Sequence, residues 1–311
     1  MIFLLYGPDN YSSREKVREM IEHHKEIHKS GLDFKYLDGK DLDFSTLLNE
    51  DQQSSIFNEK KLIVVTNVVS NKEFKEKFLK SYKKLIDSPN IIVFLEEEKI
   101  AANDSILNLL KKHIKCQEFP ILSLEKMKRW VKNELSKVKG DISPNALDKL
   151  LEYCEGNLWS LSNEVKKLAA FKIKKTIEVE DIELLVKPKI ETDIFKTIDA
   201  IASKDKKAAL TLLHKHLDKG DAPLYLLSMI NFQFRNLLLV KDLMEKGKSY
   251  YDIPKLTKLH PFVVKKSYQS AQKFQYQELK KIYQKIFQVD LSIKTGKLKP
   301  EIALDILIAE I

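Results

Sequence analysis

The residues with the greatest chemical potential stand near the start of the chain. Gly7-Pro8-Asp9-Asn10-Tyr11-Ser12-Ser13-Arg14 follows the apolar run Ile2–Tyr6 and precedes a helical pattern, the place a phosphate-binding loop takes in a nucleotide hydrolase. Such a loop needs glycines, so that backbone N–H groups can approach phosphate, and a Lys-Ser/Thr pair for the phosphates and Mg²⁺. Here one Gly remains, no Lys-Ser/Thr pair follows, Pro8 removes an N–H donor and Asp9 adds negative charge. The order of residues therefore predicts an ATPase-like scaffold without a nucleotide site and with no cofactor. Against this stands Glu96-Glu97-Glu98 at the end of the apolar run Ile91–Leu95, carboxylates that could hold Mg²⁺ in an active nucleotide hydrolase. Without a phosphate cradle, a solvated acidic loop is the expected reading. His23, His24 and His28, and His214 with His216, lack the Cys or carboxylate company of a metal motif and are expected as solvated histidines. No Gly-x-Ser-x-Gly elbow occurs, and Cys116 and Cys154 give neither a disulfide framework nor ligand spacing; Cys154 lies in the apolar phase of a helix.

A second constellation needs a partner rather than a substrate. Gln53-Ser-Ser-Ile-Phe57 is a polar segment ending in two adjacent large apolar side chains. Neighbouring helical positions point about 100° apart, so Ile56 and Phe57 are buried together only if one wall wraps around both. Either they plug the chain's own core, or they form a short anchor that enters an apolar pocket on another protein. Leu62–Val65, a β-branched run just downstream, has the pattern of a strand buried on both faces of a parallel sheet.

The elements that must position these residues fall into three blocks. Residues 1–121 alternate strand and helix: strands at 2–6, 34–37, 62–65, 91–95 and 116–119, and helices opening with Ser12…Glu15 at capping-box spacing and spanning 72–86 and 105–113. Phe74, Phe78, Tyr82 and Leu85 make one apolar stripe on the second of these. From Leu122 onward no strand is expected. Residues 122–188 read as a small helical unit, with Ser143-Pro144 as N-cap and first helical position, and 189–311 as a wholly helical block with a long helix over 223–245. The chain of 311 residues carries a formal charge of +9, and 190–311 hold 21 Lys and Arg against 14 Asp and Glu. Lysine-rich helix faces account for this; a nucleic-acid surface is the alternative. Only Arg14, Arg18, Arg129 and Arg235 are available for bidentate base readout, which argues against sequence-specific DNA recognition. The N-terminal apolar run ends at Gly7-Pro8, so neither a signal peptide nor a membrane span is expected, and the expected compartment is the cytoplasm.

Ile2-Phe-Leu-Leu-Tyr-Gly-Pro-Asp-Asn-Tyr11, Phe57-Asn-Glu-Lys-Lys-Leu-Ile-Val-Val-Thr-Asn67, Gly156-Asn-Leu with Asn163-Glu-Val-Lys-Lys-Leu168, Phe234-Arg-Asn-Leu-Leu238 and Asp290-Leu-Ser-Ile-Lys-Thr-Gly296 stand in this order along the chain. Together they resemble the family of delta subunits of the bacterial DNA polymerase III clamp loader. The resemblance covers nearly the whole chain. It implies an AAA+-like α/β domain with a parallel sheet and no functional nucleotide site over 1–121, a helical lid over 122–188 and an all-α collar that joins other subunits over 189–311. It also implies a non-catalytic DNA replication subunit that binds and opens the ring-shaped sliding clamp (beta) for loading on primed DNA. Its partners would be the ATPase subunits (gamma/tau) and the delta-prime subunit, with primer-template DNA reached through the complex. The family's clamp-binding peptide resembles Gln-x-x-Leu-Phe; Gln53, Ile56 and Phe57 fit it, with Ile in place of Leu, which moves the expectation from core plug to anchor. Another clamp-loader subunit is the alternative within the family, yet ATPase members carry the Lys-Ser/Thr pair and commonly zinc-binding Cys clusters. The alternatives outside it are an active nucleotide hydrolase using Glu96–Glu98 and a nucleic-acid-binding helical protein.

Overall fold

A computed structural model describes residues 1–28, 33–53, 59–97, 100, 104–187 and 190–311, of which 190–193 are described by their backbone alone. The chain divides into two compact units, Met1–Leu122 and Ser123–Ile311.

The first unit is built on five strands: β1 (Ile2–Tyr6), β2 (Phe34–Asp38), β3 (Leu62–Thr66), β4 (Ile91–Glu96) and β5 (Lys115–Glu118). They form one sheet in the order β2-β3-β4-β1-β5, with every pairing parallel. Between them run α1 (Asn10–Ile27), α2 (Phe44–Gln52), a short 3₁₀ turn (Val68–Ser70), α3 (Lys72–Ser81), α4 (Lys83–Ile86) and α5 (Ser105–His113). Every residue of β3 is buried, and the two-residue period of a strand divides its side chains between two cores. Leu62 and Val64, with Val93 and Leu95 of β4, meet Val17 of α1 on one face. Ile63 and Val65, with Ile92 and Phe94, meet Phe44 of α2, Phe74 and Phe78 of α3 and Leu107 and Leu110 of α5 on the other. An apolar run without alternation is what a sheet covered on both faces requires.

Three local outcomes differ from expectation. The capping residue of α1 is Asp9, whose Oδ1 accepts the Ser12 N–H at 3.0 Å, so Ser12 lies inside the first turn rather than at its cap. A carboxylate at the positive end of a helix outcompetes a hydroxyl three residues later. The expected helix over 72–86 is two, α3 and α4, meeting at Tyr82, whose dihedrals stay helical; Phe74, Phe78 and Leu85 are nevertheless all buried as the stripe requires. Helix α2 was not expected, because only Phe44 and Leu47 of its nine residues are buried, too sparse a stripe to stand out; Asp43 caps it through the Ser45 N–H at 3.1 Å.

The second unit comprises α6 (Leu124–Lys137), β6 (Asp141–Ile142), α7 (Pro144–Tyr153), α8 (Leu158–Phe171), β7 (Thr176–Ile177), α9 (Val179–Leu185), α10 (Ile190–Ala202), α11 (Lys206–Asp218), α12 (Pro223–Glu245), α13 (Ile253–Thr257), α14 (Pro261–Ala271), α15 (Tyr276–Lys294) and α16 (Pro300–Glu310). The parallel pair β6–β7 corrects the expectation of no strand after Leu122; two residues are too few to carry a periodic signal. Beyond the Cys154 C-cap of α7, Glu155 and Gly156 are both left-handed, at φ +52° and +70°, and Asn157 caps α8 through the Ser160 N–H at 3.0 Å, so the Gly156-Asn157 pattern marks the turn between the two helices. A Cβ at Gly156 would stand 2.5 Å from the His260 ring, so α6–α9 and α14 approach closely here. Lys266 of α14 also pairs with Glu152 of α7 at 2.7 Å. Around the long α12 pack α10, α11 and α13–α16, with Leu226, Ile230, Phe234, Leu237 and Val240 at the centre. Among the described residues, no helix is long and apolar enough to cross a membrane.

Candidate functional site

The turn after β1 is closed against β5. Gly7 sits at φ +134°, and a Cβ there would lie 2.3 Å from the Phe119 carbonyl oxygen, so this glycine serves close packing of two backbones. Its N–H donates to the Glu96 carbonyl at 3.2 Å, that of Asp9 to Phe119 at 3.0 Å, that of Ser12 to the Asp9 carboxylate at 3.0 Å and that of Ser13 to the Asp9 carbonyl at 3.3 Å. A phosphate cradle needs such donors turned outward and unclaimed. Here four are spent inside the protein, Pro8 has none, and the buried Asp9 carboxylate occupies the helix N-terminus that an anion would use.

The acidic end of β4 is likewise engaged. Glu96 is buried and its Oε1 accepts the Val69 N–H at 3.0 Å, which corrects the expectation of a solvated loop at this position. Its neighbour Glu97 takes a two-pronged bond from Arg14 in the first turns of α1: Nη2 donates to Oε2 at 2.9 Å and Nε to Oε1. The Glu97 carboxylate raises the Arg14 pKa, and burial raises that of the nearby Tyr36 phenol. Glu98 lies outside the described residues. Two of the three carboxylates that could have held Mg²⁺ thus have protein partners.

Gln53 is the C-cap of α2, with an exposed side chain and its N–H bonded to the Asn49 carbonyl at 3.0 Å. Ile56 and Phe57, the other two candidate residues, lie outside the described residues. What the structure describes is how the chain is held on either side of them. Asn90, immediately before β4, is buried; its Nδ2 donates to the carbonyl and to the carboxylate Oδ1 of Asp51, each at 2.9 Å, and its Oδ1 accepts the Lys61 N–H at 3.0 Å. The buried Lys61 ammonium donates to the Glu50 carbonyl at 2.9 Å, and His24 of α1 bonds the Lys60 carbonyl through Nε2 at 2.8 Å. The carbonyls of Glu50 and Asp51 belong to the last turn of α2, whose acceptors have no intrahelical partner, and a cation there also suits the helix dipole. These contacts gather at the N-terminal ends of β3 and β4, the sheet edge opposite to Gly7 and Glu97.

None of this polar cluster was visible as a site in the sequence. Asn90 is 39 residues from Asp51 and 29 from Lys61, and Ser88-Pro89-Asn90 reads alone as an ordinary turn. The histidines also depart from expectation. His24 is buried on Lys60, and His216 is buried with its Nδ1 2.8 Å from the Asp221 carboxylate, so both are structural rather than solvated. Among the described residues, no group of three or more His, Cys, Asp or Glu could hold a metal ion. Cys154 is buried, as its helical phase requires, and Cys116 is partly so, its thiol pKa raised by burial.

Comparison with known proteins matches both ends of the chain to one family. The family model for the DNA polymerase III delta subunit matches residues 3–119, and the model for the C-terminal domain of the same subunit matches 191–311. A DNA polymerase III subunit delta of Bacillus subtilis is 24% identical over 323 aligned residues, covering 100% of this chain and 92% of the relative. A solved structure of the Bacillus subtilis DNA clamp loader delta protein superimposes with a TM-score of 0.75 at 22% identity, over 99% of this chain and 94% of that one. At that identity the superposition speaks for the fold.

Proposed function

The chain belongs to the DNA polymerase III delta-subunit family, and from that premise we propose that it binds a ring-shaped sliding clamp, opens it and helps place it on primed DNA. The observation that carries this reading is Gln53-Ser-Ser-Ile-Phe57, a sequence of clamp-binding type on the connection between α2 and β3, inside the region matched by the family model. In this role Gln53 hydrogen-bonds at the rim of a pocket on the clamp, and Ile56 and Phe57 fill it. Residues 122–188 act as the lid and 189–311 as the collar that joins the ATPase and delta-prime subunits, with DNA reached through the assembled complex in the cytoplasm. Exposed Phe287 and Leu291, one turn apart on α15, are suited to such a joint.

The subunit's part is mechanical rather than catalytic. The inward-turned donors at Gly7, Asp9, Ser12 and Ser13 and the Arg14–Glu97 pair support this reading, because a nucleotide would have to displace them all. Isothermal titration tests both halves with one preparation. The chain is expected to bind the sliding clamp of its own organism with saturable heat and to give no binding isotherm with Mg-ATP at micromolar concentrations. Micromolar Mg-ATP binding would instead favour the nucleotide-hydrolase alternative, and a clamp titration without heat or complex would remove the clamp-binding role.

A further inference from the structure

We propose that the helical block 123–185 is keyed to the block 190–311 at the turn between α7 and α8, so that the two move as one rigid body. The sequence places a domain boundary between 188 and 189, and a covalent link alone would leave the blocks free to swing. Two further contacts join them. The first is made by Gly156, whose φ of +70° favours glycine. A Cβ there would stand 2.5 Å from Cε1 of the His260 ring and 2.9 Å from the Met127 sulfur of α6. Backbone and space both demand glycine at this point. His260 is the N-cap of α14, and its Nδ1 accepts the Phe262 N–H at 3.3 Å, which fixes the ring that Gly156 meets.

The second contact is the ion pair between the Lys266 ammonium of α14 and the Glu152 carboxylate of α7, at 2.7 Å. The spacing of the two contacts decides what the joint can do. His260 and Lys266 are six residues apart, about 9 Å along a helix that rises 1.5 Å per residue. One contact alone is a pivot; a second contact at that distance opposes rotation about the first. The ion pair is reached by water and adds little by itself. The close approach at Gly156 carries the fit, because packed atoms cannot slide apart without opening a void. A partner seated on 190–311 then sets the orientation of 123–185 with no play at the joint.

Thermal unfolding of the full chain, followed by tryptophan fluorescence, tests this. The protein's two tryptophans, Trp130 on α6 and Trp159 on α8, both belong to the first of these blocks, so their signal reports its unfolding alone. Phe234→Ala perturbs the other block: Phe234 is fully buried in α12, within an apolar cluster that draws no residue from α6–α9. Two blocks that unfold as one share every loss of stability. Phe234→Ala is therefore expected to lower the tryptophan midpoint by roughly 6–20 °C, although it lies outside the block that carries the tryptophans. Should that variant not fold, the milder Phe234→Leu is read in the same way, with a smaller shift in the same direction.

Opening the joint should abolish that transmission. Gly156→Val drives a side chain against His260 and Met127, and in that background the Phe234 substitution is expected to move the tryptophan midpoint by less than about 2 °C. Lys266→Glu sets two carboxylates against each other and should weaken the transmission; adding Glu152→Lys reverses the pair and should restore it. A residue that only stabilises its own block gives no such rescue across the joint. Where Gly156→Val does not fold, Lys266→Glu and its rescue decide. An unmoved tryptophan midpoint in the Phe234 variants, while circular dichroism records their loss of stability, would overturn the proposal, because the blocks then unfold separately. A shift fully retained in Gly156→Val and Lys266→Glu would overturn it too, because the coupling would not pass through this joint.

Discussion

Replacing Ile56 and Phe57 together by alanine is expected to weaken binding to the sliding clamp by at least ~10³-fold while leaving the melting temperature of the chain unchanged. A central apolar anchor in a desolvated pocket is worth roughly 2–4 kcal/mol on truncation. Two such losses, combined at the low end because neighbouring anchors are not additive, come to about 4 kcal/mol, and ~1.4 kcal/mol corresponds to one decade of affinity. Folding stability separates this reading from the core-plug alternative. An anchor that contacts only the partner should alter the unfolding free energy by no more than about 0.5 kcal/mol, whereas a buried Phe→Ala costs roughly 3–5 kcal/mol. Clamp affinity and thermal unfolding are therefore measured on the same variant. Lost binding with an unchanged melt supports the anchor; a large drop in melting temperature, with binding retained by the folded fraction, returns both residues to the core.

The second large effect belongs to the scaffold. Phe78→Ala is expected to destabilise the first unit by roughly 3–5 kcal/mol. Phe78 is 1% exposed and meets Phe44 of α2 and Phe94 of β4 edge to face, with ring centroids 5.8 and 5.7 Å away, and stacks on Phe74 at 6.0 Å. Such pairs add about 0.5–1.5 kcal/mol each beyond the area they bury, and truncation leaves a cavity that the surrounding sheet and helices can only partly close. For a unit of this size the loss corresponds to a fall of roughly 10–25 °C in its melting transition, read by calorimetry or circular dichroism. A shift of less than about 3 °C would mean that the aromatic cluster is not the centre of this core. Because Phe44 is held by this cluster, α2 depends on the same packing.

What could be read in the sequence was what local pattern specifies. The runs Ile2–Tyr6, Leu62–Val65 and Ile91–Leu95 mark buried parallel strands because nothing else in a polar chain keeps so many β-branched and aliphatic residues adjacent. That Gly7–Arg14 lacks the further glycines and the Lys-Ser/Thr pair of a phosphate-binding loop was legible from residue types alone, and the structure adds where the donors of Gly7, Asp9, Ser12 and Ser13 go. What stayed hidden depends on distant partners. Glu96 in an acidic run looks solvated until Val69, 27 residues earlier, is seen to bond it. His24 looks like one of several surface histidines until the Lys60 carbonyl meets its ring. The short α2 and the β6–β7 pair carry too few buried residues for any period to register. Asn90 is the plainest case, since its importance lies wholly in joining two points that the sequence places far from it and from each other.

The claim that this chain engages a sliding clamp through the connection between α2 and β3 is tested most directly by hydrogen–deuterium exchange on the full chain with and without the clamp. Protection is expected in the peptides covering 49–61, with the backbone amides of 190–311 exchanging as they do in the free chain. A complex that forms while 49–61 exchange at their free rates, with protection falling on another segment, would contradict it.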